Sequence, residues 1–179
     1  MPLLTEKERQ EELEHISELL NGLELPAEVM TAGGMFDQSS LLIGLPTEED
    51  IDWDKPLEEL PNDLHVAAGY LIQLDAESED QLTKYFMLYA QVLVDLTGVD
   101  ELEILRTVNQ MNQEIALGTF FYADTTDLQG GVQGRRVQFR HSIGIPDDGE
   151  WDEGVLGETI LEAGVYYDIM KERLTELLP

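Results

Sequence analysis

Three guanidinium groups stand close together in a chain that has few cations. Arg135, Arg136 and Arg140 are three of only ten basic residues, set against 38 Asp and Glu. A guanidinium is a planar fork of donors that pairs with carboxylates and stacks on aromatic rings. Arg136, Gln138, Arg140 and Ser142 alternate with Val137, Phe139, His141 and Ile143, the period of a half-buried strand. Tyr85, Met87, Tyr89 and Gln91 share one phase of another apolar run, Lys84 to Leu96. If both runs lie in one sheet, Arg136 and Arg140 stand beside Tyr85, Met87 and Tyr89 on the face away from the core. That cationic and aromatic surface suits an acidic or aromatic segment of a protein partner, or a second copy in a homodimer. The plainer alternative is that the arginines neutralise neighbouring acids, in surface pairs that are common and individually weak.

The other polar candidates have structural readings. Asn109 and Asn112 lie one helical turn apart in V-N-Q-M-N-Q-E (Val108 to Glu114), with Asn112 beside the apolar stripe. A partly buried amide must find partners, so both are expected to seat the helix on a strand end or loop backbone. His15, His65 and His141 are far apart in sequence, and His141, between Phe139 and Ile143, reads as a core-edge histidine. With no cysteine there is no thiolate metal site, disulfide or thiol nucleophile, and no histidine spacing suggests zinc. The acidic runs Glu48 to Asp54 and Asp147 to Glu153 lack the pattern of a calcium loop and read as solvated. Gly130-Gly131-Val132-Gln133-Gly134 lacks the Lys-Ser/Thr of a phosphate loop and leads into a strand, so it reads as a turn. There is no G-x-S-x-G, and acids are so abundant that their proximity in sequence says nothing about acid/base work. No catalytic set, metal or cofactor is expected.

A chain of 179 residues, 42% hydrophobic, suffices for a single domain with its own core. The formal net charge of −28 repels nucleic acid and anionic membranes, so neither is an expected partner. Met1 to Glu8 has no signal-peptide pattern, and no apolar stretch reaches the roughly 18 residues of a membrane span. The expectation is a cytoplasmic protein that is not exported.

The elements that must position these residues follow from periodicity. Thr5 and Glu8 form a capping box, and Leu13, Ile16, Leu19 or Leu20 and Leu23 recur at helical spacing, which predicts a helix over 5–21 ended by Asn21-Gly22. Val29 to Thr31 and Leu41 to Ile43 suggest a hairpin about Gly33-Gly34. Residues 46–63, proline-containing and acidic, read as a surface connection pinned by Trp53, Leu57 and Leu60. Val66 to Leu74 is a buried strand, and Lys84 to Leu96 is ambiguous, with its β-branched and aromatic residues favouring strand and Phe86, Leu88, Ala90, Val92 and Val94 facing the core. Asp100 caps a helix over 101–116 with Leu102, Leu105, Val108, Met111 and Ile115 as its stripe. Phe120 to Ala123 and Val137 to Ile143 are strands joined by a flexible connection, Thr125 to Gly134. A helix over 153–177 closes the chain, and Gly157 and Gly164 within it imply close backbone packing on their side.

This order resembles the YbjN-like bacterial proteins over about residues 66–177. The resemblance is carried by Asn109 and Asn112 in V-N-Q-M-N-Q-E, Gly118 after it, and the strands G-T-F-F-Y and R-R-V-Q-F-R. It implies an α+β fold like that of the type III secretion chaperones, an antiparallel sheet flanked by helices. It also implies a non-enzymatic binding or regulatory role, often in a dimer. Two other functions stay open: a small-ligand protein or enzyme whose pocket is assembled from remote residues, and an acidic decoy of cationic or nucleic-acid-binding proteins.

Overall fold

A computed structural model of the chain describes residues 4–33, 37–46, 66–74, 83–126, 132–146 and 148–179. The connection expected at 46–63 lies outside them beyond Pro46, as do His65, Gly130-Gly131 and the acidic run Glu48 to Asp54. The chain runs α1 (Glu6–Gly22), β1 (Ala27–Met30), β2 (Ser40–Gly44), β3 (Val66–Leu74), β4 (Thr83–Gln91), α2 (Glu101–Glu114), β5 (Thr119–Thr126), β6 (Val132–Pro146) and α3 (Glu153–Thr175). All strand pairs are antiparallel, in the order β1-β2-β3-β4-β6-β5. The α+β class, the leading helix and the long closing helix are as expected. Among the described residues no helix is long and apolar enough to cross a membrane.

Side chains alternate across a strand, so each strand divides its residues between two faces. On β4, Lys84, Phe86, Leu88 and Ala90 are buried, and Tyr85, Met87 and Tyr89 between them are half-buried. The buried phase continues through Leu41 and Ile43, Ala67 and Leu71, Val137 and Phe139, and Phe120. It joins one core with Leu13, Ile16 and Leu20 of α1, Ile104, Val108 and Met111 of α2, and Leu156, Ile160, Tyr167 and Met170 of α3. All three helices therefore lie on one face of the sheet. Each of these fully buried aliphatic side chains contributes about 2 kcal/mol of transfer free energy.

Each helix begins on an acceptor side chain. Thr5 and Glu8 make the reciprocal capping box on α1, while Asp100 accepts from Leu102 and Glu103 and Asp152 from Val155. Helix α1 ends at Gly22, within the expected Asn21-Gly22 stop, but the left-handed residue is Glu24, at φ 60°. Asn21 keeps helical geometry because its amide is engaged by β1, as described below. The stripe of α2 is also displaced. Ile104, Val108 and Met111 are buried, whereas Leu102 and Leu105 are 53% and 44% exposed, because the helix turns its Ile104 side to the sheet. The helix stops at Glu114, two residues before the expected end.

The strand expected over 84–96 ends at Gln91, although Val92, Val94 and Leu96 are buried. The strand register with β6 finishes at Gln91 and Gln138; one further backbone bond runs from the Val92 amide to the Val137 carbonyl at 2.9 Å, and the Leu93 amide donates to the Tyr167 hydroxyl of α3. β5 and β6 are longer than expected. They pair as far as Thr126 with Val132, with a register shift between Thr125 and Thr126, so only the tip of the supposed flexible connection lies outside the described residues.

Gly157 and Gly164 inside α3 do mark close packing, but of different kinds. A Cβ at Gly164 would overlap the backbone carbonyl oxygen of Pro46, where only movement of the chain could make room. A Cβ at Gly157 would meet Leu23 Cδ1 at 2.6 Å, the far end of a side chain that is 39% exposed and free to turn away. Alanine is the better helix former by about 1 kcal/mol. Gly157→Ala should therefore leave stability unchanged or raise it by up to about 1 kcal/mol, while Gly164→Ala should lower it by about 1–3 kcal/mol. Urea unfolding midpoints of the two variants check this opposite outcome.

Candidate functional site

Among the described residues nothing packs on the second face of the sheet as the helices pack on the first. Its residues are set by the strand registers. Glu28, Leu42, Ala68, Tyr89, Arg140 and Thr119 are successive partners in one row across all six strands. Neighbouring rows hold Tyr70, Met87 and Ser142, then Ile72, Tyr85 and Gly144. Tyr70 and Tyr89 meet edge to face, with ring centroids 6.0 Å apart, beside a shallow depression of about 500 Å³ lined by Leu42, Val66, Ala68 and Gln138. Burial raises the Tyr70 hydroxyl above its ordinary value, with a contribution from Tyr89, so it stays neutral at physiological pH.

Charge is almost excluded from this face. Its described strand positions carry one acid, Glu28, and two cations, Arg136 and Arg140. A chain with 38 acids in 179 residues would place several there if they were spread evenly. The face thus combines aromatic rings, methionine and guanidinium, chemistry that buries apolar surface and takes carboxylates or rings at its margin.

The three arginines, clustered in sequence, separate in space. Arg140 is the register partner of Tyr89, as expected, is exposed, and has no ion pair among the described residues. Arg136 is not beside Tyr85, Met87 and Tyr89. It pairs in register with Ala123 of β5, past the point where β4 has ended, and acts weakly on Asp95. Asp95 is held below its ordinary pKa mainly by hydrogen bonds from Thr97. Arg135 points to the helical side, where it bonds Asp124 at 3.0 Å and Glu101 at 2.7 Å over the Tyr122 ring. Neutralisation of neighbouring acids by ion pairs thus describes Arg135, Arg136 acts on Asp95 at longer range, and Arg140 does neither among the described residues.

The asparagine of α2 closes a sheet edge. Asn112 Nδ2 donates to the Phe120 carbonyl at 2.9 Å, and the Phe120 amide donates to Asn112 Oδ1 at 2.8 Å. Asn109 is exposed and takes no part, because it faces away from the apolar stripe. The opposite edge is closed in the same way: Asn21 Nδ2 donates to the Ala27 carbonyl at 2.9 Å, and the Ala27 amide to Asn21 Oδ1 at 3.1 Å. In each case one amide replaces a missing neighbouring strand, where an open edge would invite pairing. Only an asparagine near the end of a helix that precedes an edge strand signals this in the sequence.

A buried ionic cluster on the helical side of the sheet joins residues that are remote in sequence. Lys84 occupies the core phase of β4, with its side chain 6% exposed, and its Nζ lies 2.8 Å from Glu12 Oε1 of α1. Glu12 Oε2 accepts from Trp151 Nε1 at 2.7 Å, and the Trp151 ring meets Phe86 edge to face. Alternation through Phe86, Leu88 and Ala90 would have placed Lys84 inward. The cluster ties α1, β4 and the segment before α3 together, with every charge partnered. Half-buried His141, on the helical face of β6, is held below the ordinary imidazole value by burial, partly offset by Glu162 of α3. Among the described residues no three acidic or histidine groups are placed to share a metal ion.

Lys84→Met should destabilise the fold by about 2–3 kcal/mol, since it strands Glu12 beside the core, and Glu12→Gln added to it should recover more than half of that. A denaturation double-mutant cycle measures both. For His141, a lowered folded pKa means that the unfolded chain binds the proton first as pH falls. Stability is therefore full above the ordinary imidazole value and declines on acidification through it. The stability difference between wild type and His141→Gln should accordingly move against wild type between about pH 7.5 and 5.5, as denaturation midpoints will show.

No family model, curated protein or solved structure matches the chain.

Proposed function

We propose that the chain is a non-enzymatic protein-binding module, chaperone-like or regulatory, that takes its partner on the open face of the sheet. One observation carries this: the face built from Tyr85, Met87, Tyr89 and Arg140 is nearly free of acids in a chain of net charge −28. Apolar surface on which no described helix packs, rimmed by a few charges, is what protein interfaces present. The order helix, four strands, helix, two strands, long helix also supports placing the chain with the YbjN-like proteins and their chaperone-like fold. The module works in the cytoplasm without a cofactor, and its net charge argues against nucleic acid and anionic membranes as partners.

The test compares proteins captured from native cells by the tagged full chain and by two double variants, each verified as folded by circular dichroism. Met87→Asp with Tyr89→Asp should lose the captured proteins. Leu161→Asp with Val165→Asp, at exposed apolar positions of α3, should retain them. Equal capture by both variants would falsify the assignment of the face.

A further inference from the structure

We infer that the partner on this face is a second copy of the chain, docked sheet to sheet about a two-fold axis. The axis runs parallel to the strands between β3 and β4, the central pair of the six. This rests on the reading of the face as a docking surface and adds the identity of what docks there.

The self-complementarity lies in one cross-strand row. Glu28 stands on β1 at one edge of the sheet, and Arg140 stands on β6, second from the other edge, in the same row. A rotation about the stated axis lays β6 of one copy over β2 of the other and β5 over β1. Each Arg140 then lies over the partner's Leu42, one strand spacing, about 5 Å, from the partner's Glu28. Packed sheets stand about 10 Å apart, a gap that an arginine and a glutamate side chain span together. Symmetry makes the pair twice. Glu28, the one acid among the described strand positions of the face, is thus neutralised by a guanidinium that has no ion pair within its own chain among the described residues.

Three further facts favour a copy of the same chain. The helical layers carry the acidic residues of α1 and α3, and face-to-face docking sends both layers to the far sides of the dimer, where repulsion is least. Asn21 and Asn112 engage the backbone at the two sheet edges, which disfavours association by strand addition and leaves the face. Six strands of up to nine paired residues on β4 offer about 700 Å² per copy, or about 1,400 Å² in all, within the range of stable interfaces.

Sedimentation velocity of the full chain, from about 1 to 200 µM in about 0.3 M salt, tests this with charge exchange. The wild type should dimerise. Glu28→Arg and Arg140→Glu should each weaken the dimer by roughly tenfold, and the double exchange should restore it to within about threefold. A mere effect of net charge predicts instead that Glu28→Arg, which removes negative charge, tightens association. Both residues are exposed, so the fold should survive, and circular dichroism verifies it. A monomer at every concentration overturns the second copy, and so does a dimer indifferent to the single exchanges or without rescue in the double. If the wild type is monomeric while Met87→Asp with Tyr89→Asp still abolishes capture of another protein, the docking face stands and its occupant is different.

Discussion

The alternation of β4 is the constraint on which the rest of the molecule depends. Nine consecutive residues send Lys84, Phe86, Leu88 and Ala90 to one side and Tyr85, Met87, Tyr89 and Gln91 to the other, and a slip of one residue would exchange the two sets. The inward set binds three helices, through apolar packing and through the Lys84–Glu12 ion pair closed by Trp151. The outward set has the composition of an interior, but among the described residues no helical layer covers it. Register is fixed twice on the inward side: Lys84 must meet Glu12, and the Phe86 ring lies where a Cβ on Gly69 would stand. Both conditions hold Tyr89 opposite Arg140 on the outward side.

Charge explains why the two faces are so unequal. A net charge of −28 must be spread over the surface, and solvated helix faces accept it at little cost. A strand position between two tyrosines does not, since a carboxylate there loses hydration against its neighbours. Among the described residues acids are therefore concentrated on the helices, and the described strand positions of the sheet face retain three charged residues. The asparagines at the sheet edges serve the same end: the backbone that could recruit a stray strand is already bonded at Ala27 and Phe120. The face is the large apolar surface left to the described part of the chain.

Much of this was legible from periodicity. The faces of β4 and β6 followed from alternation, and the buried Leu13, Ile16 and Leu20 of α1 followed from helical spacing. Placement across the sheet was not legible, since strand order comes from contacts remote in sequence. Arg136 and Arg140 sit four residues apart on one face, yet only Arg140 falls beside Tyr89, because β4 ends before it reaches Arg136. Lys84 was hidden by its polarity, which draws the eye to a strand end although its phase is that of the core. Asn112 was legible as a structural residue, whereas its twin Asn21 was legible only as part of a helix stop, since its bonds to Ala27 are a tertiary contact that local sequence does not show.

The central claim is that the outward face of β4 meets another protein surface, that of a second copy. The Met87 methyl, at the middle of that strand, is its most direct reporter. In an equal mixture of isotope-labelled and unlabelled chain, isotope-filtered NOE spectra should connect the labelled Met87 methyl to protons of the unlabelled copy. Contacts from Met87 to its own chain alone, at concentrations where the protein sediments as a dimer, would contradict the account.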